Sequence, residues 1–315
     1  MMTPAAQAAH AATKAMTAAD WASMSTNELR TMFDANDDGT VNNPDLLKLI
    51  GTWGAITTDP PPVITPTPPT GAITWTKADG TQASITPLPV TSPITLTAGI
   101  NPAGQKGKTY TGVISGNPMR VLSIEGSGAN ETEIRMENVT ANWREYGAWS
   151  AGKRITLIEC HWNCDNPLTE TYSLRDYSSE LVVMDSELWN EDGWKRSVRK
   201  IQGRGAFVNC TIVGGAFEIG NPDAAPNNTD VPYLLIRGGR ITKASDPMNM
   251  VLRICNGLGD GVFEQVDFSG GGKAVEIQGT FTGRLAFRGC TRNGAPLKMS
   301  DIANDTGDAS RVSIT

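Results

Sequence analysis

The sequence predicts a mainly β chain whose short parallel strands pile up coil upon coil, preceded by a small helical head and a proline-rich linker. Three observations predict it. Apolar runs recur at nearly constant spacing from residue 94 onward, nine of the 19 prolines crowd into residues 57–93, and helical signals are confined to the residues before them.

A chain of 315 residues with 39% hydrophobic content can build two units or one large all-β domain with a sizeable core. Lys and Arg number 27 against 33 Asp and Glu, for a net charge of −6, and no basic block is dense enough to track a phosphate backbone. Nucleic acid is not an expected partner. No run of about 18 apolar residues occurs, so no membrane span is expected. The opening "MMTPAAQAAHAATKAM" also lacks the stretch of about 7 to 15 apolar residues that marks an export signal. The five cysteines, Cys160, Cys164, Cys210, Cys255 and Cys290, are too scattered for a disulfide framework and read as buried thiols. "CHWNC" has the look of a metal pair, but no second pair follows to close a tetrahedral site.

Residues 1–56 form the expected head. In "STNELRTMF", Ser25 and Glu28 have capping-box spacing, and Leu29 and Phe33 share a helical face. "NNPDLLKLIGTWG" follows, with Asn43 as N-cap, Pro44 at the first helical position and Gly51 or Gly54 as the stop. Between the helices lies "DANDDGTVNNPD", whose oxygens fall at Ca²⁺-loop spacing: Asp34, Asn36, Asp38, the Thr40 carbonyl, Asn42 and Asp45, with Gly39 at the sharp turn. A solvated Asp/Asn turn is the alternative, but it does not require helices on both sides. Asp at the last ligand position with "LLKLI" after it resembles one half of a dockerin. A full dockerin carries two such loops, and "NGLGDGVFEQVD" from 256 fails as the second because Leu258 takes a ligand position. The expected cofactor is Ca²⁺, supplying stability that so short a helix pair cannot draw from its own core.

Residues 57–93 read as linker and leading strands. "TDPPPVITPTPPTG" denies helix and ladder hydrogen bonds and favours a semi-rigid extended spacer, and "AITWTKADGTQASI" resumes β chemistry near residue 71.

From residue 94 to 315, "MENVT", "IECHW", "MDSEL", "VNCTI", "IRGGR", "FEQVD" and "FRGCT" recur with first residues 22, 26, 24, 28, 27 and 24 apart. A second strand type, including "VRKIQG", "AFEIG", "VLRICNG" and "AVEIQG", falls between them. Two strand types per repeat match stacked coils better than a meander. Stacking predicts ladders of like residues. Met136, Ile158, Met184, Val208, Ile236, Phe263 and Phe287 are expected inward, and Cys160, Ser186, Cys210 and Gly238 in a small-residue column.

The apolar, Asn, Cys pattern of "FVNCTIV" resembles the right-handed single-stranded parallel β-helix of pectate-lyase-like enzymes and phage tail spikes, over roughly residues 94–315. That resemblance implies an architecture and names no reaction. A lyase would need an acidic Ca²⁺ cluster and a base on the body; Arg199 or Lys200 could supply the base, but the family's catalytic signature is not matched.

The same stacking places Glu137, Glu159 and Asp185 in one outward column, with His161, Glu187, Glu191 and Asp192 nearby. Glu159 and Asp185 are the candidate catalytic pair, since carboxylates at such spacing suit retaining glycoside hydrolysis. A solvated ladder screened by Arg135 or Arg154 is the competing expectation. Trp143, Trp149, Trp162, Trp189 and Trp194 fall in the same coils, and Trp143, Trp162, Trp189 and Trp194 are candidate glycan-stacking residues. Packing beneath loops is their alternative. Glu218, Arg253, Glu276 and Lys298 alternate in sign as an outward ladder. "SRVSIT" reads as a strand at an uncapped end, so trimerisation or a neighbouring subunit is expected to cover it.

These features lead to an expected phage virion protein of spike or fibre type, in a virion or extracellular setting. It is expected to be non-catalytic or weakly catalytic, anchored to virion or scaffold subunits through its head, homotrimeric and facing a surface glycan. The rival is a secreted polysaccharide lyase or glycoside hydrolase carrying a half-dockerin.

Overall fold

The computed structural model describes residues 71–115, 118–143, 146–164, 172–190, 196–221, 230–243, 250–279 and 281–315. The head, residues 1–56 with the calcium loop, and the proline-rich stretch up to residue 70 lie outside them. Residues 68–315 make one compact unit. Within it the chain winds as a parallel β-solenoid of about seven turns, and helix among the described residues is limited to three short 3-10 turns.

Each coil contributes rungs to three faces. The first face stacks Arg154–Ile158, Glu180–Met184, Arg204–Val208, Val231–Arg237, Leu258–Glu264 and Arg284–Arg288. The second stacks His161–Cys164, Glu187–Trp189, Thr211–Gly214, Arg240–Lys243 and Asp267–Ser269. The third stacks Tyr146–Ser150, Tyr172–Asp176, Arg196–Lys200, Ala216–Ile219, Met250–Ile254 and Lys273–Ile277. Glu133–Trp143 spans the first two faces in one continuous strand.

The corner between the first and second faces is marked in each of these coils by a left-handed residue, doubled in one of them by Gly239 at φ 75°. Asn138, Glu159, Asp185, Asn209 and Gln265 have φ between 47° and 55°, and Gly238 and Gly289 occupy the same place at 63° and 59°. Asn, Asp and Gly tolerate this conformation, which explains the polar residue that recurs in the repeat.

One inward column of the first face runs Tyr110, Met136, Leu157, Val183, Phe207, Ile236, Phe263 and Phe287. Phe263 and Phe287 stack with ring centroids 4.7 Å apart. Met136, Ile236, Phe263 and Phe287 are thus inward as expected. Ile158, Met184 and Val208 are not: they pair with Glu137 and Arg237 on the outer side. The cause is an apolar doublet in each of those coils, Leu157-Ile158, Val183-Met184 and Phe207-Val208, which conceals strand parity. Because side chains alternate with a period of two, a slip of one exchanges inside for outside. The small-residue column likewise contains Gly239 rather than Gly238, since the Arg240 amide bonds to Cys210 O while Gly238 occupies the corner.

The doublets are apolar on both sides because a hairpin covers the first face. Ile73–Thr76 and Gln82–Ile85 pair antiparallel. Ile73, Trp75 and Ile85 are buried with Ile158, Val182, Met184, Ala206, Leu235, Val262 and Ala286 in a second core outside the coil. Arginines on the solenoid grip the backbone of this strap: Arg237 donates to Thr74 O at 2.9 Å, Arg288 to Thr76 O at 2.6 Å, Arg154 to Thr86 O at 3.0 Å and Arg135 to Leu88 O at 2.8 Å. At the hairpin tip the Asp260 carboxylate accepts the amides of Ala78 and Asp79 at 2.9 and 3.1 Å. Burial pushes its pKa up.

An inward column of the third face holds a charge pair. Ser150, Asp176, Lys200 and Ile219 are successive rungs. Lys200 Nζ lies 2.5 Å from Asp176 Oδ2 with both side chains fully buried. Lys200 also donates to Ser178 O at 2.9 Å and to Gln202 O, and Ser178 Oγ donates to Asp176 Oδ2 at 2.9 Å. Burial draws the lysine pKa down, against the pull of Asp176. Removing one member strands the other charge in the core. Lys200→Ala is therefore expected to lower stability by about 3–5 kcal/mol in urea denaturation, and Asp176→Leu with Lys200→Met to restore most of it. Equal losses in the two variants would show that packing, not charge, sets the cost.

Candidate functional site

Beyond the corner, the second face turns alternate side chains outward in two columns. The first runs Thr140, His161, Glu187, Thr211, Arg240 and Asp267; the second runs Asn142, Asn163, Trp189, Val213, Thr242 and Ser269. Between them Ala141, Trp162, Leu188, Ile212, Ile241 and Phe268 point into the core. Where the columns carry Thr140, Asn142, His161, Asn163, Glu187 and Trp189, they line a shallow depression of about 370 Å³. His161 Nδ1 is 3.3 Å from Glu187 Oε2 across adjacent rungs. Trp189 is 37% exposed, the only large aromatic side chain so open among the described residues.

The arrangement offers a flat wall of amide, hydroxyl, imidazole and carboxylate groups beside an indole. These are donors and acceptors suited to a hydroxyl-rich ligand, with one ring face for stacking. Glu159 and Asp185 are the corner residues of adjacent coils, two residues before His161 and Glu187, and Asn209 Nδ2 donates to Asp185 Oδ1 at 3.2 Å. Glu137 does not share that column. It pairs with Ile158, and its carboxylate accepts Arg135 Nε at 3.0 Å.

Of the expected glycan-stacking residues, Trp143 and Trp162 are buried in the solenoid core, because their places in the strands are inward; Trp162 also forms part of the depression's lining. Trp189 is outward, Trp149 is on the third face, and Trp194, Glu191 and Asp192 lie outside the described residues. So do Asp34, Asn36, Asp38, Thr40, Asn42 and Asp45. The segment "NGLGDGVFEQVD" is a first-face rung whose Asp260 holds the hairpin. Lys200 is sealed in the core, and Arg199 is bound to Glu218 at 2.6 Å. Glu218, Arg253 and Glu276 form one ladder as expected, but Ala303 rather than Lys298 continues it.

Asn142, Asn163 and Thr140 carry no motif and were missed. Their signal is parity: once each corner residue is located, the second and fourth residues after it face out. No family model matches the chain, and no curated protein or solved structure matches it.

Cys160 and Cys210 occupy the column just inside the corner. Burial pushes both thiols up to about 12, so neither is a thiolate at neutral pH and neither is poised as a metal ligand. Among the described residues no group of three or more His, Cys, Asp and Glu could hold a metal. A thiol-specific disulfide reagent at pH 8 is expected to leave Cys160 and Cys210 unmodified in the native protein and to label them after unfolding. Native labelling at either position, mapped by peptide mass, would contradict their placement.

Proposed function

We propose that the chain is a glycan-binding protein whose second face is the recognition surface. We further propose that it serves as a spike- or fibre-like virion component, in a virion or extracellular setting, with its solenoid wound right-handed as in the pectate-lyase-like and tail-spike β-helices. The observation that carries the binding role is Trp189 standing open beside His161, Glu187, Asn142 and Asn163 on one flat polar wall. A buried stacking ring is worth on the order of 2 kcal/mol at a binding surface. Trp189→Ala is therefore expected to weaken binding to the recognised glycan about thirtyfold on an array or by calorimetry, with thermal stability unchanged. Undiminished binding by Trp189→Ala would remove the second face from consideration.

A polysaccharide lyase or hydrolase is the second reading, favoured by Glu159, an acidic residue held at φ 50° beside Asp185. Strain of this kind gathers at working sites. Turnover of a polysaccharide panel, abolished by Glu159→Gln or Asp185→Asn, would replace binding by catalysis.

Attachment is assigned to residues 1–56, with Ca²⁺ held by Asp34, Asn36, Asp38, Thr40, Asn42 and Asp45. The support is sequence spacing alone. Titration of the full chain with Ca²⁺ is expected to show one site that Asp34→Ala with Asp38→Ala eliminates; an unchanged isotherm would refute the loop. Homotrimer formation is proposed as well. Its support is the exposure of Val90, Ile94, Val113 and Met119, the last two 66% and 65% open, on the segments that form the first rungs.

A further inference from the structure

Outward charges on the solenoid are largely matched. Arg154 and Arg204 share Glu180, Arg237 and Arg288 share Glu264, and on the third face Arg199, Glu218, Arg253 and Glu276 alternate. Arg175, one rung before Arg199 in that same column, departs from the pattern. It has no carboxylate partner among the described residues, and its buried Nε has no hydrogen-bond acceptor. Aromatic rings hold it instead. Its guanidinium carbon lies 4.3 Å from the centre of Trp149, 5.4 Å from Tyr177 and 5.6 Å from Tyr172. Trp149 and Tyr177 stack on each other at 5.9 Å. A second guanidinium, Arg120, lies 5.4 Å from Trp149 but is engaged by Glu125.

A half-buried cation with no carboxylate partner among the described residues is thus fixed among ring faces. Its N–H donors lie in one plane whose fork matches a carboxylate, and partial desolvation strengthens such a bond. Rings beside it can meet the apolar side of a sugar. We propose that Arg175, Trp149 and Tyr177 form a second subsite, on the third face, that takes the carboxylate of an acidic sugar. The proposal rests on glycan binding as the class of function but uses none of the second-face residues.

Calorimetry with the full chain tests it, using oligogalacturonate, alginate oligomers and sialyllactose, each beside its carboxyl-reduced counterpart. At least one acidic probe is expected to bind tenfold or more tightly than its reduced form. Arg175→Gln should abolish that difference while leaving the reduced sugar's affinity unchanged, and Tyr177→Ala should weaken both forms. Trp189→Ala should keep the acid preference, so loss of second-face binding and loss of this subsite are separable. The subsite is overturned if no acidic probe binds, if Arg175→Gln retains the preference, or if it weakens acid and reduced forms equally. Equal binding of a sulfated polymer, lost with Arg175, would replace the carboxylate by a general anion. Should Arg175→Gln fold poorly by circular dichroism, Arg175→Lys decides: a charge without the fork is expected to lose most of the preference.

Discussion

The register of one rung upon the next is the constraint on which the rest of the molecule depends, and the left-handed corner of each coil sets it. Each corner turns the chain from the first face onto the second in one step, so the side chains that follow inherit their inward or outward sense from it. Asn, Asp and Gly take the conformation at little cost. Glu159 and Gln265 do not, and each carries on the order of 1 kcal/mol of backbone strain. The following rung offsets that cost through parallel hydrogen bonds, as where the Glu159 amide donates to Met184 O and the Gln265 amide to Arg288 O. The Phe263 and Phe287 stack, the cysteine column and the outer polar columns are all consequences of the same corner.

The three faces then divide the work. The first is sealed by the strap of residues 71–90, which exchanges an exposed apolar stripe for a second core and ties several coils together through arginine to carbonyl bonds. This is why it can carry Val182, Leu235 and Val262 on its outer side without becoming an open edge-on hydrophobic surface. The third face neutralises itself over most of its length by alternating Arg and Glu, and holds the buried Asp176 and Lys200 pair on its inner side. Among the described residues, the second face and the aromatic end of the third combine exposed polar groups with a partly exposed ring.

Much of this was legible in the sequence, and the rest was obscured for physical reasons. The repeat of about 25 residues and its polar corner were visible because a parallel stack needs like residues in column. Parity was legible where the outer neighbour is polar, as at Arg237 beside Ile236 or Arg288 beside Phe287. It was lost at Leu157-Ile158 and Val183-Met184, because the hairpin makes both sides apolar. The same covering element was invisible in advance: "AITWTKADGTQASI" has the alternation of a hairpin, but nothing local in it announces the surface it covers. The burial of Trp143 and Trp162 was concealed for a related reason. Tryptophan serves cores and ligand surfaces alike, and only the strand's sense separates Trp162 from Trp189.

The openness of the second face bears on how such a protein would act. A shallow depression of about 370 Å³ falls near the small end of ligand pockets and buries only part of a ligand. A single contact of this kind is weak, since ordering a flexible chain of sugars consumes much of what the ring and hydrogen bonds contribute. Repetition overcomes the weakness. Copies held together through their first rungs would bring several such faces to one polymeric ligand, and the second binding event would occur at the high effective concentration set by the first. A flat wall on a rigid solenoid favours this arrangement more than a deep pocket does, because it leaves the polymer free to run past each subunit. The proposed glycan surface, the proposed trimer and the proposed anchoring head thus describe one physical strategy, in which avidity replaces enclosure.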